Sequence, residues 1–260
     1  MIHIISPAKS LDFETKSQFD ILSEGIFRKE SEQIMKKLRT QSKKKLKDLM
    51  GISDNLAELN YERNQVWKFP TAGNEQAKQA VLAFTGDVYL GMDANSFSKT
   101  DLEYAQEHLR ILSGVYGLLR PMDLILPYRL EMGTDLKVGT KKNLYDFWGN
   151  KITKSINESL KGHQEKVLVN LASNEYFKAV KPKEVDGEIV SPEFKDEKNG
   201  KLKIISFYTK RARGMMSNYM IKNKIAHVED LKGFDYEGYR FSQELSTPNK
   251  PVFTRAENWK

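Results

Sequence analysis

The chain has 260 residues, of which 39% are hydrophobic and 30% are charged, and it contains no cysteine. This composition is too apolar for an intrinsically disordered protein, and the lack of cysteine excludes disulfides, iron–sulfur clusters and thiolate zinc sites. The formal net charge of +7 favours polyanionic partners such as nucleic acid, although net charge by itself does not identify the partner.

The amino-terminal segment, MIHIISPAKSLDFE, does not have the pattern of a secretory signal. No basic residue precedes its apolar residues, and Lys9 and Asp12 follow them too soon. No apolar run in the chain reaches the roughly 20 residues that a membrane span requires. We therefore expect a cytoplasmic protein that has no membrane partner.

In the first part of the chain, a short strand is followed by several helices. Residues 2–5 predict an apolar strand that ends at Ser6-Pro7, because proline lacks a backbone donor. Apolar residues at helical spacing predict two helices within 26–50. Short polar residues ahead of periodic segments predict helices over 54–64, 75–82, 100–109, 143–160 and 174–180, capped by Ser53, Asn74, Thr100, Asn143 and Ser173.

The second half of the chain mixes strands and helices. Residues 167–172, VLVNLA, predict a buried strand, and alternation over 188–208 around Asn199-Gly200 predicts a hairpin whose second strand ends in IISFY. A methionine-rich helix follows this hairpin. No repeat or long linker divides the chain, so we expect one mixed α/β domain over residues 1–260, with a central sheet surrounded by helices.

A positively charged segment lies between residues 201 and 228. It contains seven basic residues and no aspartate or glutamate: Lys201, Lys203, Lys210, Arg211, Arg213, Lys222 and Lys224. Lysine and arginine placed against phosphates release counterions, which drives sequence-independent binding to nucleic acid. The alternative is a solubilising face, and the lack of acids favours the binding interpretation.

Residues 111–123, ILSGVYGLLRPMD, contain two glycines between two apolar runs. Glycines at positive φ ahead of a helix point several backbone amides in one direction, which suits a phosphate. The segment has the pattern of a helix-hairpin-helix, in which Gly114, Val115, Tyr116 and Gly117 form the hairpin and Arg120 follows it, although this hairpin has one residue more than the usual Gly-apolar-Gly. Replacing Gly114 with valine is then expected to weaken DNA binding while the fold survives. The alternative is a helix C-cap followed by a strand.

The segment NLASNEYFKAVKPK places polar side chains where a strand ends and a helix begins, a common position for functional groups in α/β sheets. Glu175, paired with Glu131 or with Asp146, is a candidate carboxylate pair for hydrolysis, with Lys178 beside it. Lys178, Lys181 and Lys183 fit a surface that faces phosphates. The alternative is that these residues only cap and pack the helix.

Metal and cofactor sites have no support in the sequence. The four histidines, at positions 3, 108, 163 and 227, are isolated from one another. The glycine-rich signatures of nucleotide binding and the serine-hydrolase signature are missing. We therefore expect neither a metal site nor a cofactor.

Several long segments of the sequence closely resemble the bacterial YaaA peroxide-stress family. They occur in order over nearly the whole chain: ISPAK (5–9), FTGDVYLG (84–91), LSGVYGLLRPMDLILPYRLEMG (112–133), LYDFWG (144–149), NLASNEYFKAV (170–180) and KIISFYTKRARGMM (203–216). The resemblance implies a cytoplasmic protein that protects bacteria from hydrogen peroxide and lowers free iron, which limits iron-dependent damage to DNA. It also implies a YaaA-like mixed α/β fold with a basic cleft that binds double-stranded or branched DNA.

This resemblance places the implied helix-hairpin-helix at residues 104–125. It places the implied basic cleft at Lys9, Arg129, Lys178, Lys210, Arg211 and Arg213. Two alternatives to a pure DNA-binding protein stay open, namely an enzyme that acts on nucleic acid or nucleotides and a protein that sequesters iron at a carboxylate-only site. We expect a monomer.

Overall fold

The computed structural model describes residues 1–259, in which helices and short strands alternate. The helices are α1 (Arg28–Arg39), α2 (Lys43–Met50), α3 (Asp54–Val66), α4 (Ala80–Ala83), α5 (Asp87–Met92), α6 (Lys99–His108), α7 (Leu144–Trp148), α8 (Lys151–Leu160), α9 (Asn174–Phe177) and α10 (Ser206–Lys222). The strands are β1 (Ile2–Ile5), β2 (Ser10–Leu11), β3 (Lys78–Gln79), β4 (Phe84–Thr85), β5 (Leu109–Ser113), β6 (Gly117–Leu119), β7 (Leu124–Ile125), β8 (Val167–Asn170), β9 (Glu188–Val190), β10 (Glu193–Lys198), β11 (Lys201–Lys203), β12 (Arg240–Thr247) and β13 (Lys250–Arg255).

The central sheet has the strand order β6-β5-β1-β8-β9. β1 runs parallel to β5 and to β8, with His3 opposite Leu109 on one side and Val169 on the other. β9 continues the parallel part, whereas β6 runs antiparallel to β5. β1 and β5 are buried along their whole length, as expected for a parallel sheet whose two faces are covered.

A second sheet, of order β11-β10-β13-β12, is formed by the later part of the chain. The turn between β10 and β11 has Asn199 at φ 54° and Gly200 at φ 68°, the left-handed pair that a two-residue hairpin needs. The hairpin predicted at Asn199-Gly200 is therefore confirmed. Its second strand ends at Lys203 and α10 begins at Ser206, so the prediction that IISFY is a strand end is wrong.

One hydrophobic cluster joins the two sheets and the helices around them. It includes Ile4 of β1, Met216 of α10, and Phe194 and Phe253 of the second sheet, all of them buried. The predicted mixed α/β architecture with a central sheet is thereby confirmed.

Helix starts agree with the prediction where a local cap determines them. Ser53 accepts a hydrogen bond from the Leu56 amide at the start of α3, and Asn143 accepts one from the Asp146 amide at the start of α7. α9 begins directly after Ser173, as predicted, but Ser173 makes no side-chain capping bond and the helix ends at Phe177 instead of residue 180.

Three helix predictions are wrong in their boundaries. Residues 75–82 form a turn, a two-residue strand and the start of α4, so Asn74 does not cap a helix there. The capping box of α6 consists of Ser98 and Asp101 and not of Thr100 and Glu103. The helix predicted over 143–160 is interrupted at Gly149, where φ is 55°, and becomes α7 and α8.

α5 and α10 pack unusually closely because glycines lie between them. A Cβ atom on Gly214 would lie 1.8 Å from the Val88 carbonyl oxygen, and one on Gly91 would lie 2.2 Å from the Arg211 carbonyl oxygen. Real Cβ atoms essentially never come within 3.0 Å of another heavy atom, so larger residues would push the two helices apart. These contacts fix α5 relative to the first half of α10.

Candidate functional site

A cleft of about 540 Å³ lies at the carboxyl ends of β1 and β8. Four stretches line it: residues 6–10 after β1, residues 171–176 after β8, residues 85–89 at the start of α5, and residues 204–213 at the start of α10. Glu131 completes the lining. Ligands of α/β proteins commonly bind at the carboxyl ends of parallel strands, and this volume suits a small molecule or one nucleotide.

Hydroxyl groups fix the floor of the cleft where the two parallel strands end. Ser6 Oγ accepts a hydrogen bond from the Ser173 amide at 2.9 Å and donates one to Ser173 Oγ at 3.2 Å. The Tyr89 hydroxyl donates to the Ser6 carbonyl oxygen at 3.1 Å. Burial raises the pKa of the Tyr89 hydroxyl well above its ordinary value. Tyr89 therefore stays protonated and holds the end of β1 in place.

Two of the predicted catalytic carboxylates meet in this cleft. Lys9 Nζ lies 2.8 Å from Glu131 Oε2. Glu175 Oε1 accepts a hydrogen bond from the Gly133 amide at 2.8 Å, which orients the carboxylate. Asp146, by contrast, is exposed at the start of α7 and is not part of the cleft lining. Of the three candidate carboxylates, Glu131 and Glu175 therefore line one cleft and Asp146 does not.

A basic cleft was predicted, but the formal charges that line this cleft sum to zero. Its six charged side chains are three cations and three carboxylates: Lys9, Lys210, Arg213, Asp87, Glu131 and Glu175. The cations at positions 210 and 213 come from the first turns of α10, one helical turn apart. Positive charge is thus concentrated on the α10 side of the cleft.

On the α10 side of the cleft, several polar groups lack partners among residues 1–259. Thr209 is 7% exposed, and its Oγ1 has no hydrogen-bond partner among residues 1–259. Ile205 precedes α10 without a side-chain capping bond, so the first-turn amides are not capped by it. Burial lowers the pKa of the Arg213 guanidinium, which means that its charge is poorly solvated. An anion bound beside this turn would accept hydrogen bonds from its amides and offset the charge of Arg213.

The helix-hairpin-helix predicted over residues 104–125 is wrong. The segment is the end of α6 followed by the antiparallel strands β5 and β6, with Ser113 opposite Gly117. Gly114, Val115, Tyr116 and Gly117 are all buried. The Tyr116 amide donates to Ser113 Oγ, and the Gly114 carbonyl oxygen accepts from Trp148 Nε1. These backbone groups are therefore used inside the core and do not face a phosphate.

Three of the seven cations in the acid-free segment are neutralised by acids from elsewhere in the chain. Arg211 donates to Glu237 at 2.9 Å. Lys222 and Lys224 both contact Asp101, at 3.1 Å and 2.5 Å. The four others have no ion-pair partner in residues 1–259, and we refer to them as the cationic edge: Lys201, Lys203, Lys210 and Arg213.

The other predicted phosphate-binding cations lie outside the cleft lining. Arg120 pairs with the buried Asp123 at 2.9 Å, and Lys178 lies 4.8 Å from the Tyr145 ring centre. Arg129 is half-buried, and its Nε lacks a hydrogen-bond partner in residues 1–259. Lys181 precedes the short 3-10 helix Pro182–Glu184 that follows α9, and Lys183 lies within it. The structure therefore brings Lys9, Lys210 and Arg213 together in the cleft and not these five cations.

Comparisons with known proteins agree with the resemblance of the sequence segments to the YaaA family. The family described as peroxide stress protein YaaA matches residues 1–245. The chain belongs to the YaaA family. A protein named UPF0246 protein from Aliivibrio fischeri strain ATCC 700601 / ES114 is 51% identical over 257 residues, which cover 99% of both chains. Proteins of that name from Saccharophagus degradans and from Shewanella baltica strain OS155 are 50% and 49% identical over 257 residues, covering 99% of this chain and 100% of each relative.

Sequence reasoning missed several residues of the cleft in this YaaA family member. Ser6, Asp87, Tyr89 and Thr209 line it, although no site prediction included them. The sequence Thr85-Gly86-Asp87 could have indicated Asp87, because a glycine before a polar residue is typical of a tight turn. In the structure Gly86 adopts φ 116° between β4 and α5, and Asp87 lines the cleft. Thr209 gave no signal, because threonine inside a helix is common and its missing partner is visible only in three dimensions.

Two further observations concern the kinds of site that this family member carries. In residues 1–259, no group of three or more histidine, aspartate or glutamate side chains is arranged to hold a metal ion. Over the same residues, none of the helices combines the length and apolar content that a membrane span requires.

Proposed function

We propose that this protein acts in the peroxide stress response by binding DNA, holding its phosphates without reading the bases, and so limits iron-dependent damage to DNA. Membership of the YaaA family supports the role in peroxide stress. The observation that carries DNA binding is the cationic edge, whose four cations have no ion-pair partner in residues 1–259. Unpaired lysine and arginine side chains are the groups that neutralise phosphates.

The arrangement around α10 explains how a phosphate is held. Lys210 and Arg213 project from the same side of the helix into the cleft, next to the uncapped first turn. The first-turn amides donate hydrogen bonds, and the helix dipole adds partial positive charge at this end. A phosphate at this position also relieves the poor solvation of Arg213.

The salt dependence of DNA binding tests this proposal. If four phosphates are neutralised, the slope of log K against log[salt] on duplex DNA is about −3.6. Fluorescence anisotropy with a labelled duplex, measured between 50 and 200 mM salt, gives this slope. Replacing Lys210 or Arg213 with glutamine is expected to weaken binding on every sequence and to make the slope shallower by about 0.9 each.

A matched charge change elsewhere provides the control. Lys161 is exposed and pairs with Glu158 at the end of α8, so Lys161→Gln removes one positive charge far from α10 in sequence. It should leave both affinity and slope close to those of the unchanged protein. A flat salt response, or equal losses for Lys161→Gln and Lys210→Gln, would contradict phosphate binding by the cationic edge.

A second candidate function is an enzyme that acts on a nucleotide or on a nucleic acid. The presence of Glu131 and Glu175 in one cleft favours it, because hydrolysis needs one group to activate water and another to protonate the leaving group. The Lys9 ammonium beside Glu131 and the Gly133 amide on Glu175 hold the two carboxylates in place. DNA binding is then substrate binding.

Product analysis separates the enzyme from the pure binding protein. The protein is incubated with nucleosides, nucleotides and DNA, with and without Mg²⁺, and the products are separated by chromatography. Glu131→Gln and Glu175→Gln should abolish any turnover, whereas Asp146→Gln should not, since Asp146 lies outside the cleft. If every substrate stays intact, the enzyme hypothesis is wrong.

A further inference from the structure

Large apolar side chains are exposed beside the cleft, in the segment that leads into α10. Leu202, Ile204, Phe207 and Tyr208 are 44%, 58%, 58% and 41% exposed. They are four of the twelve large hydrophobic residues of residues 1–259 that are exposed to this extent, and they fall within seven consecutive positions. Ile204 also lines the cleft. The apolar group is therefore continuous with the candidate site.

The two aromatic rings of this segment differ in how much of their surface is available. The Tyr208 ring has the Arg255 guanidinium 4.7 Å from its centre, and Arg255 is buried and paired with Asp196 at 2.7 Å. The Phe207 ring meets Tyr208 edge-on, with the ring centres 5.7 Å apart at an angle of 62°. Tyr208 is thus anchored by the second sheet, whereas more than half of the Phe207 side chain is open to an incoming ligand.

Cations alternate with these apolar residues along the segment. The sequence from 201 to 210 reads KLKIISFYTK, and its three lysines have no ion-pair partner in residues 1–259. Lysines on an edge strand such as β11 also prevent edge-to-edge aggregation, which accounts for Lys201 and Lys203 but not for the exposed Ile204 and Phe207. Interleaved cations and aromatic faces are the combination that binds single-stranded nucleic acid.

We propose that the segment from Lys201 to Tyr208 binds unpaired bases of a single-stranded nucleic acid, with Phe207 stacking on one base while Lys210 holds the adjoining phosphate. This inference rests on the proposed function, because both use the cationic edge. It adds that the preferred ligand has unstacked bases, since bases within a duplex cannot cover an external aromatic ring. The adjacent cleft of about 540 Å³ has room for one nucleotide at the end of such a strand.

Single-strand and duplex affinities of Phe207 variants test the inference. Anisotropy is measured at one salt concentration with labelled oligothymidine of about 12 nucleotides, with an abasic strand of equal length, and with a duplex. Phe207→Ala should weaken binding to oligothymidine by about fivefold or more, and should leave binding to the duplex and to the abasic strand unchanged. Phe207→Trp should retain the affinity for oligothymidine.

Control variants separate stacking from general loss of apolar surface. Phe207→Leu keeps most of the apolar area but lacks the ring face, so it should behave like Phe207→Ala. Val66 on α3 is 73% exposed, and Val66→Ala should change no affinity. Because Phe207 is 58% exposed, its replacement should not lower thermal stability, which is checked by circular dichroism.

The outcomes distinguish this inference from the proposed function. If Lys210→Gln weakens binding to all strands while Phe207→Ala weakens none, phosphate binding stands and the stacking inference is overturned. Equal losses of Phe207→Ala on abasic and thymidine strands also overturn it. If the unchanged protein binds no DNA at all, both proposals are wrong.

Discussion

Replacing Gly114 with alanine tests the assignment of the β5–β6 turn to the core. A Cβ atom at Gly114 would lie 2.4 Å from the Leu130 carbonyl oxygen and 3.2 Å from its carbonyl carbon. Both are backbone atoms that cannot rotate away, so either β5 or the chain at Leu130 must move. The next residue, Glu131, lines the cleft, which couples this packing to the site.

The magnitude follows from the contacts of Gly114. Forcing a methyl group into a filled core costs about 1–3 kcal/mol, and weakening the bond from Trp148 Nε1 to the Gly114 carbonyl oxygen costs about 1 kcal/mol more. We expect Gly114→Ala to lower the free energy of unfolding by about 3 kcal/mol. With an unfolding entropy of about 2.1 cal/mol/K per residue, the melting temperature should fall by about 5 °C.

Calorimetry measures this shift, and Gly162→Ala is the matched control. A Cβ atom at Gly162 meets no heavy atom within 4 Å, so this variant should keep or slightly raise the melting temperature. The reasoning is refuted if Gly114→Ala melts like Gly162→Ala and loses DNA affinity. That result would restore the turn as a phosphate site and would contradict its place in the core.

Three further predictions concern helix packing, pH and a buried ion pair. Gly214→Ala should lower the urea midpoint more than Gly114→Ala, because its Cβ would lie 1.8 Å from the Val88 carbonyl oxygen. Burial, the main cause, lowers the pKa of His3 to about 3, so at pH values below about 6.5 the unfolded state binds a proton that the native state rejects. Stability should therefore fall by up to about 1.4 kcal/mol per pH unit as the pH drops from 6.5 towards 3, and His3→Gln should remove this contribution in urea titrations. Asp196→Ala should cost about 3 kcal/mol, because it removes the nearer carboxylate of the buried Arg255, at 2.7 Å, and leaves only Glu237, at 3.6 Å.

Each of these predictions has a result that would contradict it. A soluble Gly214→Ala variant with an unchanged urea midpoint would mean that α5 and α10 are farther apart than described. Identical pH profiles for His3→Gln and the unchanged protein would mean that His3 is accessible to protons in the native state. For the ion pair, Asp54→Ala is the control, because Asp54 is exposed and pairs with Lys47 at the surface; equal losses for the two aspartates would contradict the burial of Asp196.

Several elements of this fold could be predicted from the sequence because interactions between neighbouring residues determine them. The cap at Ser53 and the turn at Asn199-Gly200 depend on residues that are close neighbours in the chain, so their patterns suffice. The apolar strand 167–172 was also recognisable, and β8 occupies most of it. The family could also be recognised from the sequence, because its motifs and their order along the chain are visible without the fold.

The assignment of ILSGVYGLL to a helical motif failed for a physical reason. A short apolar run with no clear period is compatible with a helix or with a buried strand, and only its partner decides. Here Leu109 pairs with His3, and the β5–β6 turn packs against Trp148 and Leu130. These contacts come from distant parts of the chain, and local glycine content does not predict them.

The sequence by itself determined the family, the mixed α/β class, the positions of locally capped helices and the presence of an acid-free cationic segment. Tertiary structure alone decided which of those cations stay unpaired, since Asp101 and Glu237 reach the segment only when the chain folds. It also decided that Glu131 and Glu175 share a cleft with Lys210 and that Thr209 lacks a partner there. Charge pairing and burial depend on distances in space, which a linear pattern of residues does not contain.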